Sequence, residues 1–379
     1  MKTLFLVLAV AAMTPHAASA EEVIPRVEMK NMALNLGAIL PLVISDTAFE
    51  RPESRRKILT GLRNLAKSAH RIEYKLPVTN DDPLIGFVTV KLSRNFEVAA
   101  ADLARGETGR ARSLIRNATA YCISCHTRSA GGTATIAIEP KVAGVELSAL
   151  DLAEFYTATR QFEKAIIHYE AVLNDQWFAQ RYPHRWEFAA KKMLAIVVRV
   201  QSSPRLALEL LAKIHQSNTV PASLARDAAI WRESVKEWLA APTKGASVTD
   251  PLVRGKEQFE KGEALVAKTG SREAGLIPFL RASADLHEYL SLRREAAPYA
   301  DALFLAGRTA EQLASLNLWT LRDSYFEACI KVSPHSAIAR QCLERFKMAQ
   351  LADTRSKTGA MVYADDVRER LDELSHLAN

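Results

Sequence analysis

The residues best suited to chemistry lie together in Tyr121-Cys122-Ile123-Ser124-Cys125-His126. Two thiols three positions apart on one helical turn can each form a thioether to one of the two vinyl groups of a haem. The adjacent imidazole can then ligate the iron from below. This C-x-x-C-H spacing is the attachment pattern of c-type haem. Other origins compete poorly. With four cysteines and nine histidines in 379 residues, chance produces the pattern in roughly one chain in a thousand. A thioredoxin-like redox pair needs a βαβ setting, which is absent. A zinc half-site needs a second Cys/His pair at finger spacing, and none follows. One covalent haem c, held by Cys122, Cys125 and His126, is the expectation.

The elements that must position this motif read as helices. Met29, Met32, Leu36, Ile39 or Leu40, and Val43 recur at three- and four-residue spacing, as do Ile58, Leu62, Leu65 and Ala69. Ile85, Val88, Leu92, Phe96, Ala99 and Leu103 form a third stripe, and Ala111, Leu114 or Ile115, Ala118 and Cys122 a fourth. Each stripe is one face of an amphipathic helix. Ser45, Asp46 and Pro52 suit a turn and a helix start, 77–83 a loop, and Gly106 and Gly109 a last turn. Four such helices predict an up-and-down bundle able to hold a cofactor in its core, with the motif ending the fourth helix. Pro41 predicts a kink or an early end to the first.

Over residues 22–128 this arrangement resembles the cytochrome c prime family, which includes Met-ligated low-spin relatives. The resemblance implies a sixth iron ligand near the start of the first helix. Met29, Met32 and Gly37 match the family's spacing there and put Met29 over the iron. An Arg often precedes that ligand by four residues, whereas Arg26 precedes Met29 by three. A thioether is a soft, neutral ligand that favours ferrous iron. Met on an apolar stripe also serves as core filler, so Met29, Met32 or neither remains open. With neither, the iron would be open to small gases. Arg112, Arg116 and Arg128 could pair with haem propionates or simply solvate a helix face.

The rest of the chain also reads as helical. After a linker over 131–145, Leu152, Ala153, Tyr156, Ala165 and Tyr169 resemble a tetratricopeptide repeat, and Tyr299 to Pro334 resembles a second one through Gly307 and Phe326. Further helices are expected over Trp186 to Val200, Arg205 to His215, Leu224 to Leu239 and Ser336 to Ala352, with two more between 250 and 292. A helix pair cannot bury its own apolar face, so 146–379 is expected to stack as an α-solenoid, a globular helical domain without repeats being the alternative. Cys329 and Cys342 would lie on consecutive helices, as a disulfide or as two buried thiols.

Lys2, the apolar stretch Leu4 to Met13 and Ala18-Ser19-Ala20 have the order of a secretory signal over 1–20. No later stretch reads as apolar for long enough to span a membrane, so a periplasmic protein is expected. The net charge of +7 comes from scattered residues, which gives a nucleic-acid role little support. His168, His184, His215, His287 and His335 form no catalytic set, so no enzyme is expected. The expected whole is an all-α protein: a haem-binding bundle over 21–130 that transfers electrons, and a repeat domain that docks a redox protein partner. A gas or redox sensor with an open sixth site, or a scaffold stapled by its haem, are the alternatives.

Overall fold

The computed structural model describes residues 20–75, 83–127, 137–140, 142, 144–216, 220–240, 250–292, 296–316, 318, 321–353 and 365–379. The signal-like residues 1–19, Arg128 and most of the 131–145 linker lie outside them. Among the described residues the protein is all-α, without strands.

The N-terminal part comprises α1 (Ala20–Ile44), the short α2 (Asp46–Phe49), α3 (Pro52–Lys75), α4 (Pro83–Arg105) and α5 (Thr108–His126). The stripes read from the sequence are buried almost throughout: Leu36, Ile39, Leu40 and Val43 in α1, Ile58, Leu62 and Leu65 in α3, Leu92, Phe96 and Ala99 in α4, and Ala111, Ile115 and Ala118 in α5. Each long helix packs on the next. α1 and α3 run antiparallel, because Glu28 pairs with Arg71 at one end and Gly61 lies against Ile39 further along. A Cβ at Gly61 would come within 2.3 Å of Ile39 Cγ2, so glycine permits that approach. The turn from α4 to α5 uses Gly106 at φ +86°, a left-handed conformation that glycine adopts without penalty. The buried Asp102 carboxylate holds the same turn through Arg105 (2.5 Å) and Arg110 (3.1 Å).

Two expectations for α1 need correction. Of the kink or early end expected at Pro41, the early end does not occur: the helix runs on to Ile44, and the Ser45 amide donates to the Pro41 carbonyl. Burial of Leu42, Val43 and Ile44 keeps this last turn helical despite the missing proline N–H. By length and hydropathy Val27–Ile44 also qualifies as a membrane span, although none was expected after the leader; 56% of that window is buried inside the molecule, as a core helix would be.

The second part continues with α6 (Ala149–Ala158), α7 (Phe162–Asn174), α8 (Gln176–Arg181) and α9 (Pro183–Ala195), which runs on as a π-helical turn over Ile196–Val200. Then follow α10 (Pro204–Gln216), α11 (Ala222–Ala240), α12 (Pro251–Thr269), α13 (Leu276–Leu292), α14 (Ala296–Gln312), α15 (Arg322–Val332), α16 (Ala337–Asp353) and α17 (Asp365–Ala378). Their starts follow from local chemistry. Ser148 and Asp151 form a reciprocal capping box on α6, and Asp250 caps α12 ahead of Pro251. α6 packs on α7, α10 on α11, α12 on α13, and α14 on α15. Phe326 of α15 lies flat enough on Gly307 of α14 that a Cβ there would meet its Cε1 at 2.4 Å. Cys329 and Cys342 are joined as a disulfide across the α15–α16 turn.

The two parts share one hydrophobic cluster, which runs from Met32 and Leu36 in α1 through Ile123 in α5 to Phe155, Trp231 and Leu280. α6 packs against both α1 and α5, and α15 against α4. The connecting segment is tied to both sides. Ile138 packs on Gly37 of α1, the Ile138 carbonyl accepts from Gln161, and the Gly144 carbonyl accepts from Arg51, just before α3.

Candidate functional site

Cys122 and His126 lie four residues apart in the last turn of α5, hence on one face of it. Cys122 is half-buried, with its Sγ 3.8 Å from the Ala118 carbonyl. Cys125 belongs to the same turn; its side chain lies outside what the structure describes. Burial, reinforced by the Arg160 guanidinium, lowers the His126 imidazole to about 4. The ring is therefore neutral at pH 7, the form that binds iron. Burial pushes the Cys122 thiol up, against a smaller opposite effect of Arg160.

Met29 and Met32 differ in placement. Met32 is buried in the shared core. Met29 stands 7, 11 and 14 positions before Leu36, Leu40 and Val43, so it continues their stripe. Those three are 6%, 1% and 0% exposed, whereas Met29 is 37% exposed. The apolar stripe of α1 is thus uncovered at its N-terminal end. Next to it, Glu28 is buried. The Ser68 hydroxyl, with help from Arg71, holds its carboxyl below the usual range despite burial.

The height of Met29 follows from the other end of α1. Arg112 of α5 donates through Nε to the Val43 carbonyl at 2.7 Å and through Nη2 to the Ile44 carbonyl at 2.6 Å. Fourteen residues separate Arg112 from His126, and fourteen separate Val43 from Met29. Counted from the Arg112 contact, Met29 and His126 both lie about 21 Å along their helices, each in the half of its helix remote from that contact. Arg112 and Arg116, two cations considered for propionates, instead serve the C-terminal carbonyls of α1 at the far end.

Two residues that the sequence did not single out surround the motif. Arg160, in the turn after α6, acts electrostatically on both Cys122 and His126. Arg199, in the π-helical turn, is 4% exposed. Its Nε donates to Ser283 Oγ at 2.9 Å, and its Nη1 to Thr127 Oγ1 at 3.2 Å, directly after His126. His287 extends this network. Its Nδ1 donates to the Ser283 carbonyl at 2.6 Å, so its Nε2 accepts from the Tyr325 hydroxyl at 2.5 Å. Arg199 interrupts the apolar run Leu194 to Val200, a signal visible in the sequence. Arg160 gave none, because its position depends on where α6 ends.

No group of three or more His, Cys, Asp or Glu side chains assembles as a metal site among the described residues. The iron of a haem draws only its axial ligands from the protein, so the His126 imidazole, with Cys122 on the same helix face, fits a haem without such a cluster. Comparison with protein-family models, with curated proteins and with solved structures finds no match for this chain.

Proposed function

We propose that this protein is a periplasmic monohaem c-type cytochrome that transfers electrons. α1, α3, α4 and α5 are read as a four-helix bundle resembling cytochrome c prime, and α6–α17 as a tetratricopeptide-like solenoid. The observation that carries the reading is the C-x-x-C-H motif in the last turn of α5, with Cys122 and the neutral His126 on one face of it; Met29, at the uncovered N-terminal end of the α1 stripe, is the thioether offered with it.

Cys122 and Cys125 would hold a haem c covalently, His126 would be its proximal ligand and Met29 its distal one. Bound there, the haem supplies one-electron chemistry. The protein's part would be to keep the His126 ring neutral, to offer the neutral Met29 thioether as a second ligand, and to shield the site by packing α6 against α1 and α5. A soft Met ligand favours the ferrous state and raises the potential.

A redox protein is the proposed partner. The exposed cluster of Trp177, Tyr182, Arg181 and Arg185 has the composition of a protein-binding surface. The Trp177 and Tyr182 rings meet edge-on at 6.0 Å, and both arginines lie over Tyr182. Failure of the immobilised full chain to retain any electron-transfer protein would remove this part of the reading.

Optical spectra of the purified protein, oxidised and reduced, with and without carbon monoxide, test the whole. The expected result is a low-spin spectrum with a thioether-to-iron band, unresponsive to carbon monoxide and lost in Met29→Ala. A high-spin spectrum that shifts with carbon monoxide would overturn the Met29 assignment and favour gas binding. Absence of any haem spectrum would overturn the function.

A further inference from the structure

The end of α6 is built as a Schellman turn. The Gln161 amide donates to the Tyr156 carbonyl at 2.8 Å and the Arg160 amide to the Thr157 carbonyl at 3.0 Å. In this motif the residue at the Arg160 position is left-handed, and glycine is its usual occupant. Arg160 adopts φ +61° there, at a cost of about 1–2 kcal/mol for a residue with a Cβ. A strained non-glycine residue that the surroundings hold in place points to a role for its side chain.

The side chain has an unusual setting. Arg160 is half-buried, and among the described residues its guanidinium has no hydrogen bond or ion pair. Its electrostatic neighbours are Cys122 and His126, both bearers of the attachment motif. α6, whose C-terminal turn carries it, packs on α5, which carries them. Withdrawing a cation from water without a counter-charge is unfavourable. The most economical explanation is an anion that arrives with the cofactor.

We propose that Arg160 is a positioning residue for the haem: its guanidinium pairs with a propionate carboxylate and fixes a positive charge beside the iron. The inference rests on the haem reading given above. It adds a role for the second part of the chain, which reaches back over the motif to supply the counter-charge. A fixed cation near the iron favours the ferrous state, which carries one charge less than the ferric.

Arg160→Gly is the informative variant, because glycine suits the left-handed turn and the fold is retained. Arg160→Lys keeps the charge but not the bidentate fork. Both are compared with the unaltered holoprotein by redox titration and by thermal unfolding. The expected result is a lower midpoint potential in Arg160→Gly, with unchanged or higher thermal stability, and partial recovery of the potential in Arg160→Lys. A purely structural role would alter stability and leave the potential where it was. An unchanged potential in haem-loaded Arg160→Gly would overturn the proposal while leaving the cytochrome reading intact. Failure of the unaltered protein to carry covalent haem would overturn both.

Discussion

Arg199 carries a charge into a stretch that is otherwise apolar, and it remains there because three oxygens receive it: Ser283 Oγ, Thr127 Oγ1 and the Thr127 carbonyl. Burial lowers its guanidinium to about 10, so it stays protonated at neutral pH. A hydrogen bond to a buried charged group contributes about 1.5–3 kcal/mol. Ser283→Ala is therefore expected to destabilise the protein by about 2 kcal/mol, measured by urea unfolding. The serine is 5% exposed and its side chain small, so little packing is lost with it. An effect below about 0.5 kcal/mol, the range of ordinary surface substitutions, would show that the network does not clamp Thr127. Met29 is the residue-scale exception in α1, since it follows the buried stripe and yet is exposed.

At the scale of elements, pairs of helices are held together by small, local devices. The ring of Phe326 lies against Gly307, and thirteen residues separate Cys329 from Cys342 across the α15–α16 turn. Both cysteines are fully buried, so the bond joins helix faces that already pack. Closing a loop of this size restricts the unfolded chain and stabilises by about 3 kcal/mol. Cys329→Ala with Cys342→Ala is expected to lower stability by about 2–3 kcal/mol in denaturant titrations. Reductant should produce a comparable loss in the unaltered protein and none in the double variant. Equal unfolding midpoints for the two proteins under oxidising conditions would contradict this. α17 closes the chain on the same region: the His335 amide donates to the Leu377 carbonyl, and Arg370 pairs with Glu327 of α15.

For the molecule as a whole, the continuous core decides how the parts depend on each other. Leu150 and Phe155 of α6 belong to the same buried cluster as Leu36 and Leu40 of α1. Burial raises the hydroxyl of Tyr121, next to the motif, which also feels Lys91 of α4 and Asp323 of α15. An isolated fragment 21–145 would expose the faces of α1, α4 and α5 that α6 and α15 cover, and exposed apolar patches of that kind promote association. Such a fragment is expected to aggregate or to unfold without a cooperative transition in calorimetry. A monomeric fragment with a sharp transition would show that the N-terminal helices are an independent domain.

Much of this was legible in the chain itself. Helical periodicity located the long helices because each buries one stripe, and burial against anything apolar suffices to express that pattern. The C-x-x-C-H motif was equally plain, since its chemistry depends on spacing along one turn and not on distant partners. The Cys329–Cys342 bond was only one of two alternatives, because pairing depends on how close two helices bring their Cα atoms; the structure brings them to 6.4 Å. The early end that Pro41 allowed does not occur, because the burial of the residues after it outweighs the lost hydrogen bond. Tertiary structure alone decided that Arg112 and Arg116 bind the last carbonyls of α1 while Arg160 and Arg199 act on the motif and on Thr127 after it. The physical reason is that the range of a charge is set by folded distance. Arg160 is 34 residues from His126 along the chain, yet the packing of α6 on α5 makes it the cation that acts on that ring.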